Sequence, residues 1–117
     1  MRPEYLYLSD IVDAADAVSQ FIHEHSREDF MSDYQLRSAV IYQMIIIGEA
    51  LSHISFEVRA RHSHIHWAEA IGLRHYAAHG YFSIDWGIIW DTAVDDVPVI
   101  REQIVAVIKS EYPEGSG

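Results

Sequence analysis

Apolar residues near the N-terminus recur at the spacing of an amphipathic helix. The series consists of Leu8, Ile11, Val12, Ala15, Val18 and Ile22, with acidic residues mostly between them. Because this spacing matches a 3.6-residue turn, it predicts a first helix over residues 9–25. Ser9 is the predicted N-cap, since its hydroxyl can accept a hydrogen bond from a free backbone amide of the first turn.

A second helix is predicted from a capping-box pattern followed by a long apolar stretch. Ser32 is followed three residues later by Gln35, the arrangement in which the two side chains satisfy each other's backbone amides. The stretch "AVIYQMIIIGEAL" follows, and the predicted helix continues towards Arg61. Its length and apolar content indicate a central position in the fold.

Three further helices are predicted in the second half of the chain. The stretch "HWAEAIGLRHYAAHG" (66–80) predicts a third helix that ends at Gly80. Ser83 is the predicted cap of a fourth helix, and Pro98 suits the first turn of a fifth. Since no segment alternates between apolar and polar residues, the sequence predicts an all-α fold, an up-and-down bundle of four to five helices.

Length and composition limit the possible organisation of the chain. The 117 residues suffice for one compact domain, predicted over residues 1–112, with a flexible tail at 113–117. No apolar run approaches the roughly 20 residues of a membrane span, and the N-terminus lacks the pattern of a signal peptide, so we expect a cytoplasmic protein. The absence of cysteine excludes disulfides, thiolate catalysis and cysteine-bound zinc.

The charge of the chain is strongly negative but unevenly distributed. A net charge of −10 argues against a broad basic surface that coats nucleic acid. Residues 59–84, by contrast, contain Arg59, Arg61 and Arg74 with only Glu69 opposing them, together with five of the eight histidines. We therefore expect an anionic ligand, if there is one, to bind at this cationic stretch.

Arg74 is the most unusual position of the cationic stretch. On a regular helix it continues the row of Trp67 and Ile71, so it interrupts an apolar face. Because an unpaired buried charge is too costly, the guanidinium must find a carboxylate such as Glu49, an anion, or a partner subunit. His79 lies five residues further on, where a helix end at Gly80 allows both side chains to approach one phosphate.

The histidines also raise the question of a metal site. His75 and His79 have the i, i+4 spacing of the zinc-protease motif, but Tyr76 stands where that motif has its catalytic glutamate, and no third ligand follows. The alternate histidines of "HSHIH" (62–66) are a second candidate pair for a metal, for which a polar loop between helices is the favoured interpretation. We predict no metal and no other cofactor.

The arginine, histidine and tyrosine of this window form the pattern R-x4-H-x-Y, at Arg74, His79 and Tyr81. With "IIGEA" at 46–50, "HGYF" at 79–82, the "DWGIIWDT" stretch at 85–92 and "DDVPVI" at 95–100, the chain resembles the HEPN-domain toxins of the HepT family over nearly its whole length. The resemblance implies an all-α HEPN fold that pairs into a homodimer, with two copies of the motif in a composite cleft.

The resemblance also implies a function. It implies the toxin of a type VII-like toxin–antitoxin pair, a metal-independent endoribonuclease with Arg74 and His79 as catalytic residues. It further implies an antitoxin partner, an MNT-type nucleotidyltransferase that transfers AMP to Tyr81. His75, which stands where the family usually has asparagine, and Glu49 are candidate auxiliary residues. The alternative is a non-catalytic, nucleotide-binding or regulatory helical subunit of a nucleotidyltransferase.

Overall fold

The computed structural model describes residues 2–78 and 83–114, and these residues form helices connected by short turns. The α-helices are α1 (Glu4–Ile22), α2 (Arg27–Ser32), α3 (Tyr34–Ser52), α4 (Phe56–Arg61), α5 (Trp67–Ile71), α6 (Trp86–Asp91) and α7 (Val97–Glu111). A 3₁₀ helix (Gly72–Ala77) follows α5, and a π-helical turn (Thr92–Asp96) joins α6 to α7. The described ranges contain no strand, which confirms the predicted all-α fold.

The core lies where α1 packs against α3 and α7. The predicted apolar face of α1 is buried, with Leu8, Ile11 and Val18 fully inaccessible to solvent. These side chains meet Met44 and Ile47 of α3 in one continuous apolar cluster. Because no charged or polar side chain is buried among the described residues, hydrophobic burial is the main force that holds this arrangement together.

Helix α1 begins earlier than its apolar spacing predicts. Pro3 has the extended backbone of an N-cap, and the helix starts at Glu4 and ends at Ile22. Ser9 therefore lies inside the helix, so the prediction that it caps α1 is wrong. At the other end, Glu24 adopts a left-handed backbone conformation (φ 64°) that turns the chain towards α2.

The predicted capping box at Ser32 is also wrong, because a different pair of residues forms that motif. Ser26 and Asp29 bond reciprocally through their side chains and backbone amides, and they open α2 instead. Ser32 is the last residue of α2, and Asp33 caps α3 by accepting a hydrogen bond from the amide of Leu36 at 3.0 Å. The short α2 thus precedes the central helix.

Two further helix ends depart from prediction. The central helix α3 ends at Ser52 rather than continuing to Arg61, and α4 follows as a separate helix. Asp85, rather than Ser83, caps α6, with its carboxylate accepting hydrogen bonds from two backbone amides of the first turn. Pro98 does lie in the first turn of α7, as predicted.

Candidate functional site

The residues of the candidate site lie on the 3₁₀ helix and just beyond it. The α-helical turn of α5 ends at Ile71, and the backbone tightens over Gly72–Ala77. Arg74 and His75 lie on this 3₁₀ helix, and both are exposed. His79 and Tyr81, the other residues of the motif, lie outside the described residues, as does Gly80, the predicted end of the third helix.

The change of helix type determines which residues of this segment face the core. A 3₁₀ helix has 3.0 residues per turn, so Leu73 lines up with the buried Ala70, whereas Arg74 lines up with Ile71, which is only partly buried. Leu73 turns inward instead and is buried in the core. Arg74 itself is exposed, so within this chain its guanidinium faces solvent and is not a buried charge.

Glu49, the carboxylate expected to pair with Arg74, has a different neighbour. Its Oε1 lies 3.4 Å from Nε2 of His53, one turn later on α3. The His53 ring stacks on Tyr7 of α1 with centroids 4.5 Å apart, and Arg2 lies over the same tyrosine ring. Glu49 thus belongs to a surface cluster that joins α1 to α3. Within residues 2–78 and 83–114, no ion pair or hydrogen bond of the Arg74 side chain is observed.

Arg59, a second cation of the cationic stretch, caps the end of α3. Its Nε donates to the carbonyl oxygen of Ile54 at 3.0 Å. Its Nη2 donates to the carbonyls of Ser52 at 3.1 Å and Leu51 at 3.4 Å. These carbonyls lie in the last turn of α3 and just beyond it, where few amides follow to bind them, although the Leu51 carbonyl also accepts from the amide of Ile54. Arg59 thus adds hydrogen bonds there and places a positive charge at the negative end of the helix dipole.

Arg61, the third cation, is bound to α7. Its Nη2 and Nε donate to the two carboxylate oxygens of Glu111 at 2.6 and 3.1 Å, a bidentate pair. His62 Nε2 lies 2.9 Å from the same carboxylate. The hydrogen bonds from Arg61, and next those from His62, lower the pKa of Glu111 from 4.5 to about 2. This cluster fastens α4 to the end of α7.

Two of the three arginines of the cationic stretch therefore stabilise the fold. Arg59 binds backbone carbonyls and Arg61 binds Glu111. Of the three, Arg74 alone has no intramolecular partner within the parts of the chain that the structure describes. The region where we expect an anionic ligand to bind is therefore reduced from the whole cationic stretch to the 3₁₀ helix.

The histidines of "HSHIH" lie at the end of α4 and in the turn before α5, as expected for a polar connection between helices. His62 contacts Glu111, while His66 Nδ1 lies 3.9 Å from a carboxylate oxygen of Glu69. No group of three or more potential metal ligands occurs in the described ranges. The possible metal pair of His75 and His79 is not tested, because His79 lies outside the described residues.

The first described residues after the motif are held by a second contact between helices. Trp86, at the start of α6, packs edge-on against Phe30 of α2, with centroids 6.2 Å apart. The guanidinium of Arg37 lies over the Trp86 ring at 5.4 Å, and Arg27 pairs with Asp91 at 2.8 Å. The described residues on each side of 79–82 are therefore fixed to the bundle, at α3 on one side and at α2 on the other.

Comparison with known proteins identifies a family and several relatives that match most of the chain. Residues 11–107 match the family described as "Ribonuclease HepT-like". A probable ribonuclease HepT of Thermococcus cleftensis is 35% identical over 95 residues, covering 81% of this chain and 86% of that protein. A candidate RNase of Caldanaerobacter subterraneus is 31% identical over 111 residues, covering 95% of this chain and 99% of that protein.

A further relative is longer than this chain. In a protein of Methanocaldococcus jannaschii named as a gamma-glutamylcyclotransferase and candidate RNase, identity is 29% over 104 residues, which make up 89% of this chain but only 47% of that protein. No solved structure matches significantly.

The chain belongs to the HepT-like ribonuclease family, since the match spans most of its length. This confirms both the resemblance seen in the R-x4-H-x-Y pattern and the expectation of an enzyme of the ribonuclease class. It agrees with the all-α bundle of the described residues. None of the described helices is long and apolar enough to cross a membrane.

Proposed function

We propose that the chain is the toxin of a type VII-like toxin–antitoxin pair, an endoribonuclease that cleaves RNA without a metal ion. The observation that carries the proposal is the state of Arg74. It is exposed on the segment that leads into His79, and it has no side-chain partner among the described residues. A free guanidinium suits a phosphate, because its planar donors match two phosphate oxygens.

The reaction uses the nucleophile that RNA itself carries. The 2′-hydroxyl oxygen attacks the adjacent phosphorus as its proton passes to His79, and the bond to the 5′ oxygen breaks with return of a proton to that oxygen. The products are a 2′,3′-cyclic phosphate and a 5′-hydroxyl. Arg74 stabilises the charge that develops on the phosphate oxygens, an effect of about 10²-fold or more, and proton transfer adds about 10²- to 10⁴-fold.

Tyr81 is the proposed point of control. A partner nucleotidyltransferase of the MNT type transfers AMP from ATP to the phenolic oxygen, with pyrophosphate as the leaving group. The added phosphate is negative and bulky, so it repels RNA and competes for Arg74. His75 and Glu49 are kept as auxiliary residues of this site. His75 is adjacent to Arg74 and exposed, while Glu49 engages His53.

A homodimer with a composite cleft is part of the proposal. Its support is the surface of α3, which is apolar well beyond its core-facing side. Tyr42 is 62% exposed, and the neighbouring Ile41 and Ile45 are only partly covered. A helix that is apolar around most of its circumference is normally enclosed by other helices, so a second subunit is the occupant that suits this face.

Cleavage of total RNA in the presence of EDTA tests the catalytic roles. We expect the wild type to cleave and to leave cyclic phosphate ends, His79→Ala to lose about 10²-fold or more, and Tyr81→Phe to keep its activity. His66→Ala is the matched control, because His66 is an exposed histidine of the same stretch but outside the motif. No cleavage by the wild type, or an unchanged His79→Ala, would contradict the assignment.

The same assay tests whether cleavage requires a metal ion. If chelation abolishes cleavage and a divalent metal restores it, the histidines act as metal ligands rather than as proton-transfer groups. The alternative function, a non-catalytic nucleotide-binding subunit, predicts no cleavage under any condition but retention of ATP or AMP that depends on Arg74. Equilibrium binding of radiolabelled AMP to the wild type and to Arg74→Ala distinguishes it.

The control by AMP is tested by incubation with ATP and an MNT-type nucleotidyltransferase encoded beside the gene. Mass spectrometry should find one adenylyl group on the wild type and none on Tyr81→Phe, and the modified protein should no longer cleave RNA. Lack of modification, or full activity after it, would contradict the proposed role of Tyr81.

A further inference from the structure

The 3₁₀ helix that carries Arg74 lies directly on a glycine of the central helix. Gly48 of α3 is buried, and the backbone of the 3₁₀ helix covers it. A methyl group at this position would stand 3.0 Å from both the carbonyl oxygen of Ile71 and the carbonyl carbon of Leu73, and closer still to the backbone nitrogen of Arg74. All three obstacles are main-chain atoms, so rotation of a side chain cannot make room.

The contact fixes the position of Arg74 relative to α3. On one side, the absence of a side chain at Gly48 lets the main chain approach; on the other, Leu73 anchors the same segment in the core. Arg74 follows Leu73 immediately and points its side chain to solvent. Gly48 therefore sets the distance between the Arg74 backbone and α3. This distance in turn limits the positions that the guanidinium can reach.

Gly72 and Gly87, the other two glycines that the structure describes, are not in such close contact with backbone atoms. Nothing lies within 4 Å of a methyl group added at Gly72, which has ordinary helical backbone angles. At Gly87 the nearest atom is the end of the flexible Arg27 side chain. Among the glycines that the structure describes, only Gly48 is packed against backbone in this way, and Gly72, in the same 3₁₀ helix as Arg74, is a suitable control.

We propose that Gly48 is a positioning residue of the ribonuclease site, which acts by setting where Arg74 holds the phosphate of the RNA. The inference rests on the proposed function of Arg74. Relief of the overlap requires a displacement of the order of 1 Å to restore ordinary contact near 3.5–4.0 Å. Misplacement of a catalytic group by about 1 Å can cost about 10²-fold in rate, so a loss of about 10- to 100-fold is expected.

The test is a double-mutant cycle on the cleavage of a fluorogenic oligoribonucleotide of mixed sequence. Gly48→Ala should lower kcat about 10- to 100-fold with a smaller change in KM, while Gly72→Ala should leave both unchanged. In an Arg74→Lys background, which has already lost the bidentate geometry, Gly48→Ala should cost less than about threefold. A purely structural role predicts the same loss in both backgrounds, and that additivity would overturn the inference.

Folding of the variants is checked by circular dichroism and thermal unfolding. If Gly48→Ala does not fold, Leu73→Ala replaces it, because it loosens the same segment without adding an atom. The expected result is again a loss of kcat that is suppressed by Arg74→Lys, and an additive loss again overturns the inference. The two failures are distinguishable, since a wrong function appears as an inactive wild type, whereas a wrong role for Gly48 appears only in the cycle.

Discussion

The cluster of Arg61, His62 and Glu111 makes stability depend on pH in a defined window. Replacement of Glu111 by glutamine keeps the shape of the side chain and removes its charge. The pKa of Glu111 is lowered from 4.5 to about 2, which corresponds to about 3 kcal/mol before screening by solvent. Because the Arg61 side chain is 55% exposed, solvent screening reduces the expected free energy to about 1–2 kcal/mol.

The sign follows from the direction of the shift. A carboxylate with a lowered pKa stabilises the fold above its unfolded-state pKa, and this contribution is lost as the pH falls through its folded-state pKa. At pH 7 the Glu111→Gln variant should therefore unfold about 4–8 °C below the wild type, for a chain of this length. The difference should shrink between pH 4.5 and about pH 2, as Glu111 of the wild type becomes protonated.

Thermal unfolding at a series of pH values measures both quantities. Protein concentration is held constant, since association would raise the unfolding temperature by mass action. Glu114→Gln is the matched control, because Glu114 is an exposed carboxylate three residues away. Equal unfolding temperatures of Glu111→Gln and the wild type at pH 7, or a difference that stays constant down to pH 2, would refute the reasoning.

Three further predictions concern helix ends and association. Asp85→Ala should lower the free energy of unfolding by about 1 kcal/mol in urea, since two amides of α6 lose their acceptor; an unchanged midpoint would contradict this role. Arg59→Met should destabilise the fold by about 1–3 kcal/mol through the carbonyls it leaves unpaired, without change in the kcat of the folded protein. Tyr42→Asp should shift the protein from dimer to monomer in sedimentation velocity, whereas Phe56→Asp, at an exposed aromatic on α4, should not; a dimer that survives Tyr42→Asp excludes this face.

The helical class and the apolar faces were predictable, because periodicity depends only on local spacing. The buried Leu8, Ile11 and Val18 of α1 follow it directly. Helix ends were less predictable, since several residues near an end can act as caps. Ser26, Ser32 and Asp33 are all suitable by type, but Ser26 caps α2, Asp33 caps α3 and Ser32 caps neither.

The environment of Arg74 could not be predicted from its own segment. Its segment packs on Gly48, more than twenty residues earlier, and that contact is not visible in the local sequence. The charges of the cationic stretch were likewise visible in the sequence, but their partners were not, because Arg61 binds a carboxylate 50 residues away. The motif was recognisable by its spacing, and the roles of His79 and Tyr81 stay predictions.

The internal use of Arg59 and Arg61 has a consequence for the ionic-strength dependence of RNA binding. With the Arg59 and Arg61 guanidinium groups bound within the fold and a net charge of −10, the proposed dimer would present one motif arginine per subunit to a polyanion. Two phosphate contacts to a single strand release few counterions, so the logarithm of the affinity should fall with a slope of only about −1.4 against the logarithm of the salt concentration. The protein would then bind RNA weakly, with an affinity that falls only about 25-fold for a tenfold rise in salt concentration, and encounter with RNA would not be accelerated by long-range attraction.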